Sequence, residues 1–352
     1  MAYTTIDDPS KYFQIALYTG NAGTNNIVND GNSDLQPDWV WIKNRSTGGK
    51  DHGLFDSTRG TTKQLNSNNN NAENTVSTSL TAFNSDGFTL GADGGPNANS
   101  DSHVAWQWKA NGGTTSTNSS GSSNSTVQAN TTAGFSIVKR TGTGSAGATY
   151  GHGLGAVPDV IINKGLNSNE WYSYFKAIGG GTHWIDLSGT GAKVDDANMW
   201  NDTDATSTLF TVGNSGGSNG SSVEYIAYCF TSIQGYSKFG SYTGNANDDG
   251  PFIYTGFKPK FAIFKASSAS GEGWAIRDSA RDPFNQMSGK LSANVNAQEG
   301  TTADDNDCDF LSNGIKLRSN DNQMNKTGTT FIYIAFAEHP FVSSEGVPVT
   351  AR

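Results

Sequence analysis

Short apolar runs alternate with polar, Gly- and Asn-rich stretches along the whole chain. Residues 39–43 (Trp-Val-Trp-Ile-Lys), 160–164 and 261–265 are apolar at most positions up to a closing lysine. Runs of this length without a polar face fit strands covered on both sides. Residues 135–139 and 331–336 are rich in the β-branched and aromatic side chains that strands favour. Asp86-Gly87 and Asn313-Gly314 are tight-turn signals, each just before a strand. No helical period outlasts two turns. The pattern predicts an all-β chain of short strands packed in sandwich-like fashion.

The pattern also recurs. Tyr18-Thr19-Gly20-Asn21 returns as Tyr242-Thr243-Gly244-Asn245, with a weaker copy at Arg140-Thr141-Gly142-Thr143. Pro37, Pro158 and Pro259 each open an apolar strand that closes on a lysine. Leu65, Leu187 and Leu291 mark a third landmark. Ser85 to Leu90, Ser207 to Val212 and Ser312 to Leu317 mark a fourth. Val104-Ala105-Trp106 answers Ile226-Ala227-Tyr228 and Ile334-Ala335-Phe336. Landmarks in one order at nearly constant spacing imply three copies of one unit. The expected units are residues 1–110, 127–235 and 236–342, with a C-terminal tail at 343–352. Residues 111–126 contain only Asn, Gly, Thr and Ser, a flexible-linker composition. The junction at 232–239 is short and aromatic, so the second and third units are expected to pack more closely.

Composition narrows the function. Of 352 residues, 16% are charged, where about 25% is usual. Glycine occurs 43 times, and the net charge is −9. An acidic chain repels phosphate, so nucleic acid is an unexpected partner. No apolar run approaches the roughly 20 residues of a membrane-spanning helix, so no membrane insertion is expected. The first ten residues lack a basic and then apolar leader. Cytoplasmic synthesis without a signal peptide is therefore expected. Cys229 lies in an apolar alternating run and Cys308 in an acidic stretch read as a loop. Both are expected to be free thiols.

Several motifs imitate chemistry. Gly142 to Gly147 spells a dinucleotide-binding glycine pattern, but Ala148 to Gly153 cannot supply the helix it needs. Gly213 to Gly217 spells a nucleophile elbow around Ser215, again with no helix expected behind it. The histidines lack zinc-site spacing, and Glu338-His339 sits beside Pro340 near the tail. Asp304, Asp305, Asp307 and Asp309 form the densest acidic stretch. Calcium is the ion such oxygen ligands would take, although the helix-flanked calcium-loop pattern fails there. Otherwise no cofactor is expected. Asp56-Ser57-Thr58-Arg59 and Asp278-Ser279-Ala280-Arg281 are related copies, with Phe175 to Ile178 at the same place in the second unit. Two equivalent copies point to a structural role. Each aspartate is expected to take backbone hydrogen bonds in a turn, and Arg59 and Arg281 to pair nearby. Trp39, Trp41, Trp106 and Trp108 alternate within strands, and core positions are expected for most.

Asp38 to Ser46, Asp51 to Gly60, Phe83 to Gly91, Val104 to Lys109, Gly151 to Gly155, Tyr225 to Phe230, Gly235 to Gly244 and Leu311 to Gly314 resemble a family common in marine and cyanobacterial bacteriophages. Its members are described as virion or tail-fibre-like structural proteins. The resemblance covers nearly the whole chain. It implies location in a virion and brings no catalytic residue with it. The expected role is that of a non-enzymatic surface protein, as tail fibre, appendage or adhesin, or alternatively as capsid decoration. A carbohydrate-binding module that contacts host glycans is the alternative of another class. A glycan-cleaving enzyme ranks below it, because no unit offers an evident carboxylate pair. Expected partners are other virion proteins, a host surface glycan and further copies of the chain. With no heptad pattern to build a stalk, a trimer is favoured, formed through the β units, the short termini or segment 111–126.

Overall fold

The computed structural model describes residues 2–300 and 307–349. The chain is all-β, and its sheets are antiparallel. Its α-helices are single turns such as Ala197–Trp200 and Asn322–Asn325.

One strand order occurs three times. The first sheet runs Phe13–Thr19, Ser102–Trp108, Trp39–Asn44, Gly53–Asp56. The second contains Phe135–Thr141, Glu224–Phe230, Val160–Gly165, Trp171–Phe175. The third contains Ser237–Thr243, Thr330–Pro340, Phe257–Ala266, Ala275–Asp278. Each unit adds a small outer sheet, built around Phe88–Leu90, Leu209–Val212 or Gly314–Leu317.

Alternation along the central strands explains the apolar runs. Trp39 and Trp41 enter one core shared by all three sheets, while Val40 and Ile42 enter a core between the first sheet and its outer layer. Val160 and Ile162 face the shared core and Ile161 faces outward. Phe261 and Ile263 repeat the division against Ala262 and Phe264. Both faces are dry, so apolar side chains dominate both. Each unit packs on both others around this centre, so the closer pairing expected of the second and third units is not what organises the fold.

Strand register revises one landmark. Lys43, Lys164 and Lys265 stand opposite Val104, Ile226 and Ile332. Ile332-Tyr333-Ile334 therefore answers Val104-Ala105-Trp106, two residues before the expected match. A slip of two preserves which face each side chain occupies, so the apolar pattern alone cannot reveal it.

The segment expected to be a flexible linker is ordered. It contains the strand Ser116–Asn118 and leads into Ser125–Asn130, both at the edge of the second sheet. Its middle covers the strand Ala148–Gly151. Ser123 N–H donates to Thr149 O at 3.2 Å, and Ser125 Oγ donates to Gly151 O at 2.7 Å. Small polar side chains suit this contact, since a Cβ on Gly121 would lie 2.2 Å from Thr149 O. Composition spoke for flexibility; the unpaired edge of a sheet supplied the partner. Cys308 likewise begins the strand Cys308–Leu311 rather than lying in a loop, and both thiols are free and buried.

The recurring glycine of the Tyr-Thr-Gly landmark has a steric cause. A Cβ on Gly20, Gly142 or Gly244 would lie 2.0, 2.2 or 2.3 Å from the carbonyl oxygen of Ala98, Gly220 or Lys326. The backbone held so close is pinned by a buried amide. Asn97 Nδ2 donates to Gly23 O and Gly91 O, Asn219 Nδ2 to Ser145 O and Gly213 O, and Asn325 Nδ2 to Asn247 O and Ser319 O.

Gly142→Ala should therefore destabilise the chain by about 1–3 kcal/mol through overpacking. Gly216→Ala, where a Cβ meets nothing within 4 Å, should cost less. Urea midpoints of the two variants check this.

Candidate functional site

Asp56, Arg59, Asp278 and Arg281 lie at the seams between units. Asp56 ends its strand with no exposure. Its carboxylate accepts Arg59 N–H at 2.8 Å and Arg59 Nε at 2.5 Å. It also accepts Tyr228 OH from the second unit at 2.8 Å. Asp278 repeats this with Arg281 N–H at 2.9 Å and Nε at 2.5 Å. Here the outside donor is Trp106 Nε1 of the first unit, at 3.0 Å. Tyr228 and Trp106 occupy one register position, whose third member is Ile334. The second unit offers it Phe175 and Ile178 where the others place Asp and Arg, and all three side chains lie in the shared core. Two seams are thus polar, and the third is apolar at donor and acceptor alike.

Each arginine is held twice. Arg59 also reaches Glu73 at 3.1 Å, and Arg281 also pairs with Glu299, which accepts Arg45 Nε at 2.8 Å. Burial pulls both guanidinium groups down, but the carboxylates outweigh it and hold them above their usual value. Each aspartate accepts three hydrogen bonds and is buried away from water.

Three buried lysines form a second set. Lys43 Nζ donates to Asn44 O, Lys50 O and Asn296 O, and Lys265 Nζ to Ala266 O, Glu272 O and Thr190 O. Lys164 Nζ donates to Asn167 O, Asn169 O and Asn70 O. In each set one acceptor belongs to the neighbouring unit, and the three protons of each ammonium are used. Burial pulls each ammonium down to about 8.

A third set completes the ring. Trp171 Nε1 donates to Asn66 O at 2.8 Å, and Trp274 Nε1 to Asp186 O at 2.9 Å. At the same position His52 sets Nε2 3.1 Å from Ser292 O and 3.2 Å from Val295 O. Trp41 Nε1 donates to His52 Nδ1 at 2.8 Å, which fixes the neutral Nε2–H tautomer. Backbone bonds follow the same cycle, from Glu73 N to Leu166 O, Lys193 N to Ser267 O and Glu299 N to Arg45 O. The three units therefore meet head to tail in a closed ring.

The seam lysines, His52, Trp171 and Trp274 were not singled out as site residues. The signal was available: the lysine closes the same apolar run in every copy, where a buried strand would otherwise exclude charge. Among the calcium candidates, Asp304 and Asp305 lie outside the described residues. Asp309 pairs with Arg318 at 2.7 Å, and Asp307 is buried beside it, its carbonyl accepting Arg318 N–H. Among the described residues no group of three or more His, Cys, Asp or Glu is placed to hold a metal ion.

Ser215 differs from expectation. A helical turn, Gly216–Asn219, does follow it, and Ser215 caps that turn by accepting Gly217 N–H at 3.1 Å. One turn suffices there because Asn219 anchors it from inside. Gly142 to Gly147 leads into the strand Ala148–Gly151. Trp39, Trp41, Trp106 and Trp108 are all buried in the shared core. Among the described residues no helix is long and apolar enough to cross a membrane.

The chain belongs to the family described as a domain of unknown function, DUF7483, which matches residues 8–340. No curated protein and no solved structure matches it.

Asp56→Ala breaks a buried ion pair, leaves Arg59 with Glu73 as its remaining carboxylate and Tyr228 OH without its acceptor, and should cost about 3–5 kcal/mol. Installing the apolar seam instead, as Asp56→Phe, Arg59→Ile and Tyr228→Ile together, should recover part of that loss in chemical denaturation.

His52 predicts a pH dependence. Burial, with Lys43 nearby, lowers it from 6.5 to about 3. Between those values the unfolded chain binds the proton and the folded chain does not, so stability falls as pH drops, by about 1.4 kcal/mol per unit for this group. Burial also lowers His103 and His152, with the same sign. His52→Ala should reduce, without abolishing, the acid-side slope measured by denaturation between pH 6.5 and 4.

Proposed function

We propose that this chain is a non-enzymatic structural and adhesive protein on the surface of a bacteriophage particle, as a tail fibre or appendage or, alternatively, a capsid decoration. The observation that carries this reading is the closed ring of seams. The buried charge in it is spent on holding unit to unit, which makes a rigid block rather than a reactive cleft. The likeness to phage virion proteins supports the setting. The low surface charge and ordered polar loops suit a body that works outside the cell.

In this reading the inner faces serve the chain itself. The ring accomplishes within one molecule what three separate single-unit chains would accomplish by association. Further copies in the expected homo-oligomer, and other virion proteins, meet it through outer faces.

Mass spectrometry of purified particles should find the chain in multiple copies, and gold-labelled antibody should mark it on the particle exterior by electron microscopy. Its absence from particles would overturn the proposal.

A further inference from the structure

The units match closely inside, so exposed departures from the shared plan stand out. One of them lies at the outer edge of the third unit. We propose that a cleft there binds a pyranose sugar. This deepens the adhesive reading above and rests on it for its biological role.

A shortened loop opens the cleft. The connection from the outer edge strand to the apolar central strand spans residues 28–38 in the first unit and 152–159 in the second. In the third, residues 255–260 precede Phe261, the counterpart of Trp39 and Val160, and all but Thr255 and Gly256 already belong to the strand Phe257–Ala266. In the first unit this loop lays Gly31 over Gln14, with Gly31 N–H donating to Gln14 Oε1 at 2.9 Å. Gln14 is 1% exposed and its counterpart Ser136 is fully buried. Lys238 holds the same register position in the third unit and is exposed.

The walls are aromatic where the plan does not ask for it. Ile27, Tyr150 and Ile253 occupy one position, opposite Phe88, Phe210 and Ile315. The residues flanking that position point outward. They are Asn26 and Val28 in the first unit, and Thr149 and Gly151, covered by the ordered segment, in the second. In the third they are Phe252 and Tyr254, which are 46% and 55% exposed, and of the two Tyr254 lines the cleft. The N-terminal segment supplies the facing wall. Tyr3 OH donates to Gly256 O at 2.7 Å and lies 3.4 Å from Tyr254 OH. Thr4 Oγ1 donates to Gln234 O at 2.8 Å and fixes that segment. The cleft is open to solvent on one side and holds about 330 Å³, lined by Tyr3, Tyr254, Lys238, Gln234, Ser232 and Thr255 among others.

That volume lies at the small end of the range for ligand sites, about 300–1,000 Å³. A pyranose ring presents an apolar C–H face and a belt of hydroxyl groups. Tyrosine offers a rigid apolar body with a polar tip, the Gln234 amide donates and accepts, and the Lys238 ammonium donates three hydrogen bonds. The ammonium also favours a sugar carboxylate, so a uronic acid should bind more tightly than the matching neutral hexose.

Saturation-transfer NMR on the full chain, with the methyl glycosides of glucose, galactose, mannose, rhamnose and glucuronic acid as probes, tests the cleft. Transfer to at least one probe is expected. Tyr254→Ala should weaken it about tenfold, and Lys238→Ala should remove any preference for glucuronate. Val28→Ala, at the counterpart of Tyr254 in the first unit, should leave binding unchanged. If Tyr254→Ala does not fold by circular dichroism, Lys238→Glu takes its place and should abolish glucuronate binding. No transfer from any probe, or equal transfer in the cleft variants, would overturn the proposal. Purified chain and intact particles are separate samples, so this result and the particle result fail independently.

Discussion

Three sheets bury their inner faces against one another, and the rest of the structure follows from that closure. An antiparallel sheet with one dry face can leave the other in water. Here each central strand is dry on both sides, because the inner face meets the other two sheets and the outer face meets its own small sheet. Trp39 illustrates the density reached, with its ring centroid 4.2 Å from Tyr228 of the second unit and 4.5 Å from Trp108 of its own. Rings stacked across a seam cannot move independently. A unit removed from the ring would expose the face that Trp39 and its counterparts fill.

Closure also explains why charge is buried so near the centre. Strand ends at a seam leave carbonyl oxygens facing inward, and these need donors. Lysine reaches several at once, which is why Lys43, Lys164 and Lys265 share one place. The aspartates answer the opposite need, gathering backbone and side-chain donors at the Asp56 and Asp278 turns. The Phe175 seam shows that this chemistry is optional. A well-packed apolar set does the same job once donor and acceptor are lost together, consistent with the modest net value of buried ion pairs.

The all-β class and the strands covered on both faces were legible in the sequence, because alternation and apolar runs register burial directly. The turn hydrogen bonds of Asp56 and Asp278 and their pairing with Arg59 and Arg281 could be read from duplication at equivalent places. The seams could not, because Tyr228 meets Asp56 and Trp106 meets Asp278 across 172 residues of chain. A one-dimensional pattern shows which face is dry and does not show what dries it. Segment 111–126 misled for the same reason. Small polar residues are flexible alone and also suit lying flat against a strand edge, and only the edge at Thr149 decides between the two.

Repetition within one chain gives a way to separate architecture from function, provided burial is weighed along with difference. Arg140 shows why. It stands where the other units have Tyr18 and Tyr242, and an arginine among tyrosines invites a functional reading. Yet Arg140 NH2 donates to Ser218 O, as Tyr18 OH and Tyr242 OH donate to Pro96 O and Met324 O. Its guanidinium lies 4.6 Å from the Tyr225 ring centroid, at the place where Tyr18 stacks on His103 and Tyr242 on Phe331. The residue differs and the task is the same, so the substitution belongs to the core. Lys238 and Tyr254 differ from their counterparts too, but they face solvent and replace none of the contacts made by Gln14 or Gly151. A departure that performs the shared task is repacking; a departure that abandons it at the surface is where selection for something other than the fold can act.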